Sequence, residues 1–266
     1  MAKLAIITIN HKHGDMLQKA IKSIYSSAPG IQFRVFVINN VPDNKTNNWM
    51  ADAYPDVHWI VNARPQGFAR NINQVISHNP DFDFYLSLNP DVICFPRMIT
   101  NLMNVMTKNP KIGVAGPELL NFNDTIQPSR RRFASFRVLI FRALHLDAIF
   151  KNLPAVNDYL MINDSFNTVT DVDWVTGAVM LLRKQALDQV GLMDERFFMY
   201  FEDEDICCRM WQNGWKVCYV RSAQAYHAHL AEGRNKIFSK ENFYQLLSAV
   251  KMLLKYRGRI SKCTDN

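Results

Sequence analysis

The feature that most constrains this chain is an alternation of short apolar runs and amphipathic helical patterns over its first 110 or so residues. Leu4-Ala-Ile-Ile-Thr-Ile9 is a run of strand length that stops at the polar Asn10-His-Lys-His13. A continuous apolar run of this length suits a strand covered on both faces. Asp15 is expected to cap the following helix, which carries Leu17, Ala20, Ile21 and Ile24 on one side. Phe33 to Ile38 forms a second run and ends at Asn39-Asn40, and Val57 to Val61 forms a third. Gly67 to His78 then reads as a helix turning Ile72, Val75 and Ile76 inward, and Phe84 to Leu88 as a strand that stops at Asn89-Pro-Asp91. Strands alternating with helices predict an α/β fold, Rossmann-like, with a mostly parallel central sheet flanked by helices. In such sheets ligands gather beyond the carboxyl ends of the strands, and Asn10, Asn39 and Asp91 all fall there.

The alternation fades from 118 to 172. Ser129 to Arg142 mixes arginines with apolar residues, and a polar loop runs from Asn152 to Asp171. Strands are predicted again at Val172–Val175 and Ala178–Leu182, followed by a helix over Lys184–Val190. Lys216–Val220 is a further strand and Gln224–His229 a short segment with two histidines. Glu241 to Tyr256 is an amphipathic helix whose apolar face is read as Leu246, Leu247, Val250, Leu253 and Leu254. This divides the chain into a main domain, 1–235, and a basic C-terminal helix and tail, 236–266.

Charge and cysteine usage narrow the class. The 31 Lys+Arg against 24 Asp+Glu give a net charge of +7, which favours an anionic partner: a nucleotide, a nucleic acid or an acidic membrane surface. Five cysteines, including the adjacent Cys207 and Cys208, show no C-x-x-C spacing and read as reduced thiols of a cytoplasmic protein. No apolar stretch approaches the roughly 20 residues that span a bilayer.

The candidate chemistry centres on Phe197-Phe-Met-Tyr-Phe-Glu-Asp-Glu-Asp205. Ile206, Met210 and Trp211 follow at helical spacing, which sets the four acids in a first turn, at the positive end of the helix dipole. A carboxylate held there beside an aromatic wall is suited to general-base work; the plainer alternative is a helix cap followed by solvated acids. Asn89-Pro-Asp91 offers one carboxylate and an amide to a hard divalent cation, which takes only one or two protein carboxylates when phosphates complete its shell, or else it is a simple turn. His227 and His229 face one side of a strand. Gly67-Phe-Ala-Arg70 opens a helix whose free amides suit a phosphate, although it is neither a P-loop nor a dinucleotide fingerprint.

In chain order these segments resemble the family-two glycosyltransferases of the GT-A fold, over most of the chain. The matching stretches are Ile7-Thr-Ile-Asn10, Val37-Ile-Asn-Asn40, Gly67-Phe-Ala-Arg-Asn-Ile-Asn73 and Leu88-Asn-Pro-Asp-Val92. Val172-Asp-Trp-Val-Thr-Gly-Ala178, Gly191-Leu-Met-Asp-Glu-Arg-Phe-Phe198, Tyr200-Phe-Glu-Asp-Glu-Asp205 and Ala225-Tyr-His227 complete the series. In length and in its C-terminal basic helix the chain is most similar to bacterial rhamnosyltransferases of O-antigen assembly, enzymes of lipopolysaccharide synthesis.

The resemblance implies an inverting enzyme that uses dTDP-rhamnose, Mg²⁺ or Mn²⁺ and a polyprenyl-diphosphate-linked saccharide acceptor. It implies Asp203 as base with Glu202 placing the acceptor, and Asp91 and His227 on the metal beside Asn89. Thr8, Asn10, Asn39, Gly67, Arg70 and Asn73 would bind the nucleotide-sugar, and Trp174 and Gly177 would line the acceptor site. Asn89 departs from the usual first acid of a D-x-D element, so the metal is held by less negative charge. Asn39 stands where an Asp is common, and an amide serves thymine and uracil alike. A UDP-hexose transferase and a non-catalytic sugar-nucleotide binding protein are the alternatives. A nucleic-acid partner is disfavoured by the acidic run and by the lack of a stacking platform. The basic stretches Arg130–Arg142 and Lys251–Lys262 are either solvated helix faces or a peripheral dock on the anionic inner face of the cytoplasmic membrane.

Overall fold

A computed structural model describes residues 2–41, 52–133, 153–228 and 240–256. In chain order the first half gives β1 (Lys3–Asn10), α1 (Gly14–Ser27), β2 (Gln32–Asn39), β3 (His58–Val61), α2 (Phe68–His78), β4 (Phe84–Leu88), β5 (Val92–Cys94), α3 (Met98–Lys108) and β6 (Ile112–Leu120). The second half gives β7 (Arg130–Arg131), α4 (Pro154–Tyr159), β8 (Val169–Asp171), β9 (Trp174–Val175), β10 (Val179–Arg183), α5 (Lys184–Val190), α6 (Glu202–Gln212), β11 (Lys216–His227) and α7 (Lys240–Tyr256).

Nine strands form the main sheet in the order β3-β2-β1-β4-β10-β6-β11-β5, with β8 alongside β11. From the pairings, β1, β2, β3, β4, β6 and β11 run one way, and β5, β8 and β10 run against them. The sheet is therefore mostly parallel, as the alternation predicts. The consequence for the site lies in β10. Because it runs antiparallel between β4 and β6, its first residues lie beside the last residues of β4, at the ligand-binding edge.

Each apolar strand packs on both faces. Leu4 and Ile6 of β1 join a core with Leu17, Ile21 and Ile24 of α1 and Leu102 and Met106 of α3. Ala5 and Ile7 point the other way, into a core with Ile72 and Val75 of α2, Ile206 and Met210 of α6, and Met252 of α7. Every fully buried Leu or Ile in these layers contributes about 1.5–3 kcal/mol of transfer free energy.

Four local expectations are corrected. Asp15 does not cap α1: His13 is the cap residue, no side chain bonds the free amides, and Asp15 sits in the first turn. Of the strand expected at Val172–Val175 only Trp174–Val175, β9, is strand, with β8 ending just before it at Asp171, because Val172 turns into the core and Asp173 accepts from the Phe133 N–H. Lys216–Val220 and Gln224–His227 are one strand, β11, with a register shift between Val220 and Gln224.

The fourth correction concerns α7. Leu246, Leu247, Val250 and Leu254 are exposed, the last at 74%, whereas Ala249 and Met252 are buried and Leu253 packs partly against the core. Polar anchors fix this rotation. Ser248 Oγ donates to the Met199 carbonyl, Lys251 Nζ to the Arg196 carbonyl, Lys255 Nζ pairs with Asp194 and Asp205, and Tyr256 OH bonds Asp205. The lysines thus turn toward the domain, with their stems along it, and the leucines face outward. The boundary near residue 235, His229, and the basic residues 134–142 and 257–262 lie outside the described residues.

Candidate functional site

The acidic helix is delivered by a strained turn. Tyr200 and Phe201, neither of them glycine, have φ of 69° and 71°. Bulky residues in the left-handed region cost about 1–3 kcal/mol each and persist only where surrounding structure enforces them. Here Phe201 is buried and Phe197 fills the core. The turn presents Glu202 and Asp203 at the start of α6, where the free amides have no cap from Phe201.

Asp203 collects the available donors itself. Its Oδ2 accepts from the Gly177 N–H at 2.9 Å and its Oδ1 from the Glu204 N–H at 2.9 Å. Gly177 packs beside both the Phe68 ring and Asp203: a Cβ there would lie in ordinary contact, 3.4 Å from the ring and 3.5 Å from Asp203 Cβ. Burial pushes the Asp203 pKa up, while the Gly177 amide, then the Arg131 cation and the Glu204 amide, pull it down. Glu202 has less relief, only a hydrogen bond from its own backbone amide. Burial, followed by the charge of Asp203, holds its pKa well above the usual carboxylate range, and its Oε2 has no hydrogen-bond partner. Two adjacent carboxyls with little access to water do not both ionise readily. Of the two, Glu202 is held further toward its protonated form, and Asp203, half-buried and braced by its two amides, is the better placed to carry charge. Asp205 is structural: its fully buried carboxylate pairs with Arg209 at 2.9 Å and with Lys255.

Asp91 and His227 meet at the ends of β4 and β11. The Ala228 N–H bonds the Asp91 carbonyl, and His227 Nε2 lies 3.5 Å from Asp91 Oδ1. Gln127 sets the ring's orientation. Its Nε2 donates to Asn121 Oδ1 and to the His227 carbonyl, which turns its Oε1 toward His227 Nδ1 at 2.9 Å. Nδ1 must then carry the proton, and burial favours the neutral ring by lowering its pKa. The Nε2 lone pair faces a carboxylate oxygen, an arrangement of two acceptors that suits a divalent cation. Among the described residues no group of three or more His, Cys, Asp or Glu forms a metal cluster. The pair fits a cation whose remaining positions belong to phosphate and water.

Asp203 and this pair are joined through neighbouring strands. Gly177, which bonds Asp203, accepts from Ser87 Oγ through its carbonyl at 3.2 Å, and the Asn89 N–H bonds the Ala178 carbonyl at 2.8 Å. Asn89 itself is half-buried.

On the far side, Asn10 Nδ2 donates to Asn39 Oδ1 at 2.7 Å, and Thr8 Oγ1 is buried with no partner. Asn40, Asn62 and Asn71 extend an amide network to the Gln66 and Gly67 carbonyls, which sets the entry to α2. Gly67 is required by packing, since a Cβ there would stand 2.7 Å from the Phe198 carbonyl. Arg70 is exposed, 4.0 Å from Glu195. Asn73 is committed to the fold: it donates to the Met193 carbonyl and Glu195 Oε1, and accepts from the Met193 N–H.

Trp174 is buried, with Nε1 donating to the Arg132 carbonyl. Its ring is covered by the Arg131 guanidinium, centred 4.8 Å from the ring centroid. Arg131 was not among the expected site residues, since the sequence offers it only as part of a basic stretch. Pairing of β7 with β9, which sets Arg131 opposite Trp174, brings its charge to bear on Asp203.

A family model described as glycosyltransferase-like family 2 matches residues 2–245. The chain belongs to this family. A relative named N-acetylglucosaminyl-diphospho-decaprenol L-rhamnosyltransferase, from Mycobacterium tuberculosis (strain CDC 1551 / Oshkosh), is 27% identical over 236 residues, 84% of this chain and 75% of the relative. Rhamnosyltransferase WbbL of Escherichia coli (strain K12) is 27% identical over 259 residues, 95% of this chain and 93% of its own. Among solved structures, GalNAc-T7 with UDP, GalNAc and Mn²⁺ superposes with a TM-score of 0.69 at 13% identity, over 94% of this chain and 48% of that one. The family-2 chain is thus a glycosyltransferase of the GT-A fold, with rhamnosyltransferases among its relatives.

Proposed function

We propose that this glycosyltransferase moves L-rhamnose from dTDP-rhamnose, with inversion, onto a hydroxyl of a lipid-diphosphate-linked saccharide in bacterial surface polysaccharide synthesis. The donor sugar and the acceptor class are taken from the relatives' names. The observation that carries the reading is Asp203, a half-buried carboxylate braced by two backbone amides next to the strand end that carries Asn89-Pro-Asp91.

In this reading the acceptor hydroxyl approaches Asp203 and loses its proton to the carboxylate as its oxygen bonds the anomeric carbon. The bond from that carbon to the donor phosphate breaks, and its electron pair leaves with the nucleoside diphosphate. Asp91 and His227 would hold Mg²⁺ or Mn²⁺, which would supply positive charge to offset that of the leaving group. Neutral Glu202 keeps a second negative charge away from the base and offers a donor to the acceptor. Asn10 and Asn39 hold the nucleoside end. The outward stripe of Phe243, Leu246, Leu247, Val250 and Leu254 on α7 is read as the face that meets the membrane carrying the acceptor. No helix of the described residues is long and apolar enough to cross a membrane.

Thermal shift with dTDP-rhamnose and a set of UDP-hexoses, with and without Mn²⁺, tests the donor. A ligand at about 100 Kd adds roughly 2.7 kcal/mol to the folded state. The expected result is a metal-dependent shift, largest with dTDP-rhamnose, together with turnover when a lipid-diphosphate saccharide is added. A larger shift with a UDP-sugar would replace the donor. Donor binding without turnover on any acceptor would point to a binding protein instead.

A further inference from the structure

Arg131 is a half-buried cation that the base alone does not explain. Its guanidinium lies over Trp174, at 4.8 Å, and near the Tyr159 ring, at 5.7 Å. Nε donates to the Pro128 carbonyl at 3.2 Å and Nη1 to Tyr159 OH at 3.4 Å, so the plane of the guanidinium is fixed. Among the described residues its Nη2 makes no hydrogen bond, and Arg131 forms no ion pair. Its neighbour behaves differently: Arg132 is bound by both Asp158 and Asp164. A planar fork preset on an aromatic surface, with an unused edge, is the arrangement proteins use for phosphate.

Its position selects which phosphate. The register Arg131↔Trp174 and Arg130↔Val175 brings β7 against β9, and the Thr176 N–H bonds the Ser129 carbonyl. Two residues beyond Val175 is Gly177, whose amide holds Asp203. The positive charge is felt at Asp203, whose pKa it lowers. Arg131 therefore stands on the base side of the cleft. The Asp91–His227 pair lies across β10 and β4, reached through Ala178 and Asn89.

We propose that Arg131 binds the diphosphate of the acceptor, not that of the donor, and so selects a sugar-1-diphosphate as the substrate that Asp203 deprotonates. This rests on the transferase reading above. A hydroxyl of a monosaccharide held at Asp203 would place its anomeric phosphate about one pyranose ring away, and Arg131 is the cation whose charge is felt at Asp203. The enzyme thereby reads the carrier end of its acceptor through charge and planarity, while Trp174 serves as the platform that holds the reader.

The test compares two synthetic acceptors with the same sugar, a lipid diphosphate and a neutral alkyl glycoside, in wild type, Arg131→Gln and Arg131→Lys. The readout is the ratio of kcat/KM for the two acceptors, which a general loss of folding or a displaced Asp203 leaves unchanged. Losing a charge-assisted bidentate contact lowers that ratio about 10–100-fold. The expected result is a fall of that size in Arg131→Gln, a smaller fall in Arg131→Lys, and an unchanged metal-dependent thermal shift with donor. Equal losses on both acceptors, an unchanged ratio, or a weakened donor shift would each overturn the assignment. If wild type uses both acceptors equally, the clamp is refuted and the transferase reading stands. If wild type transfers to neither, the transferase reading fails and takes this inference with it.

Discussion

Replacing Asp203 by Asn separates catalysis from folding. The two side chains have the same shape, so the packing of Asp203 beside Gly177 is kept. Asp203 uses both oxygens, one for Gly177 N–H and one for Glu204 N–H. Asparagine has one acceptor, so one amide loses its bond and faces an NH₂ group instead. That costs about 1.5–3 kcal/mol, the range for a charge-assisted bond. Against it, the variant no longer buries a charge beside Glu202, the two effects that push the pair's pKa values up. The opposing contributions leave the unfolding free energy in urea at pH 7 within about 2 kcal/mol of wild type. A general base supplies about 10²- to 10⁴-fold in rate, or about 3–5 kcal/mol at 1.36 kcal/mol per tenfold. The assay follows release of nucleoside diphosphate at saturating donor and acceptor, with donor affinity measured separately by thermal shift. We expect kcat to fall by that factor and donor affinity to stay within about threefold. A kcat within tenfold of wild type, or a parallel loss of donor binding, would refute Asp203 as the base.

Three further predictions concern the surroundings of the site. Folding raises the Glu202 pKa above its ordinary 4.5, so the native state keeps a proton that the unfolded chain has released, and stability falls as pH rises from 4.5 through the folded pKa. Glu202→Gln should flatten that decline, which is at most about 1.4 kcal/mol per pH unit, in urea titrations from about pH 5 to 8; an unchanged slope would assign the proton elsewhere. Lys255→Met should destabilise the fold by about 2 kcal/mol in the same assay, less than the 3–5 kcal/mol of a fully broken buried pair, because Arg209 and Tyr256 still hold Asp205. Wild-type stability in that variant would mean that α7 is held by its apolar residues alone. Gln127→Leu frees the His227 ring and should weaken Mn²⁺-dependent donor binding 10–100-fold by calorimetry. An affinity within threefold of wild type would count against Asp91 and His227 as the metal's ligands.

By itself the sequence determined the layered α/β fold and most of the strand ends where the site lies. Apolar runs such as Leu4–Ile9 can only be buried, and a parallel sheet covered by helices buries both of their faces. The acidic turn, Asn89-Pro-Asp91 and His227 could be picked out because each sits at the end of a periodic segment, where the local pattern breaks. The tertiary structure decided what one-dimensional patterns do not encode. The rotation of α7 depends on Lys251 and Lys255 finding acceptors at Arg196, Asp194 and Asp205, which hydrophobic periodicity cannot register. Asn73 is absorbed by a segment 120 positions away. Arg131 resembles any other member of a basic run until β7 pairs with β9 and sets it over Trp174, beside Asp203. The proton state of Glu202 and Asp203 likewise turns on two backbone amides, one of them supplied by Gly177 from another strand connection. Burial and charge act through space, so which of two adjacent acids gives up its proton more readily depends on the neighbours that folding brings to each.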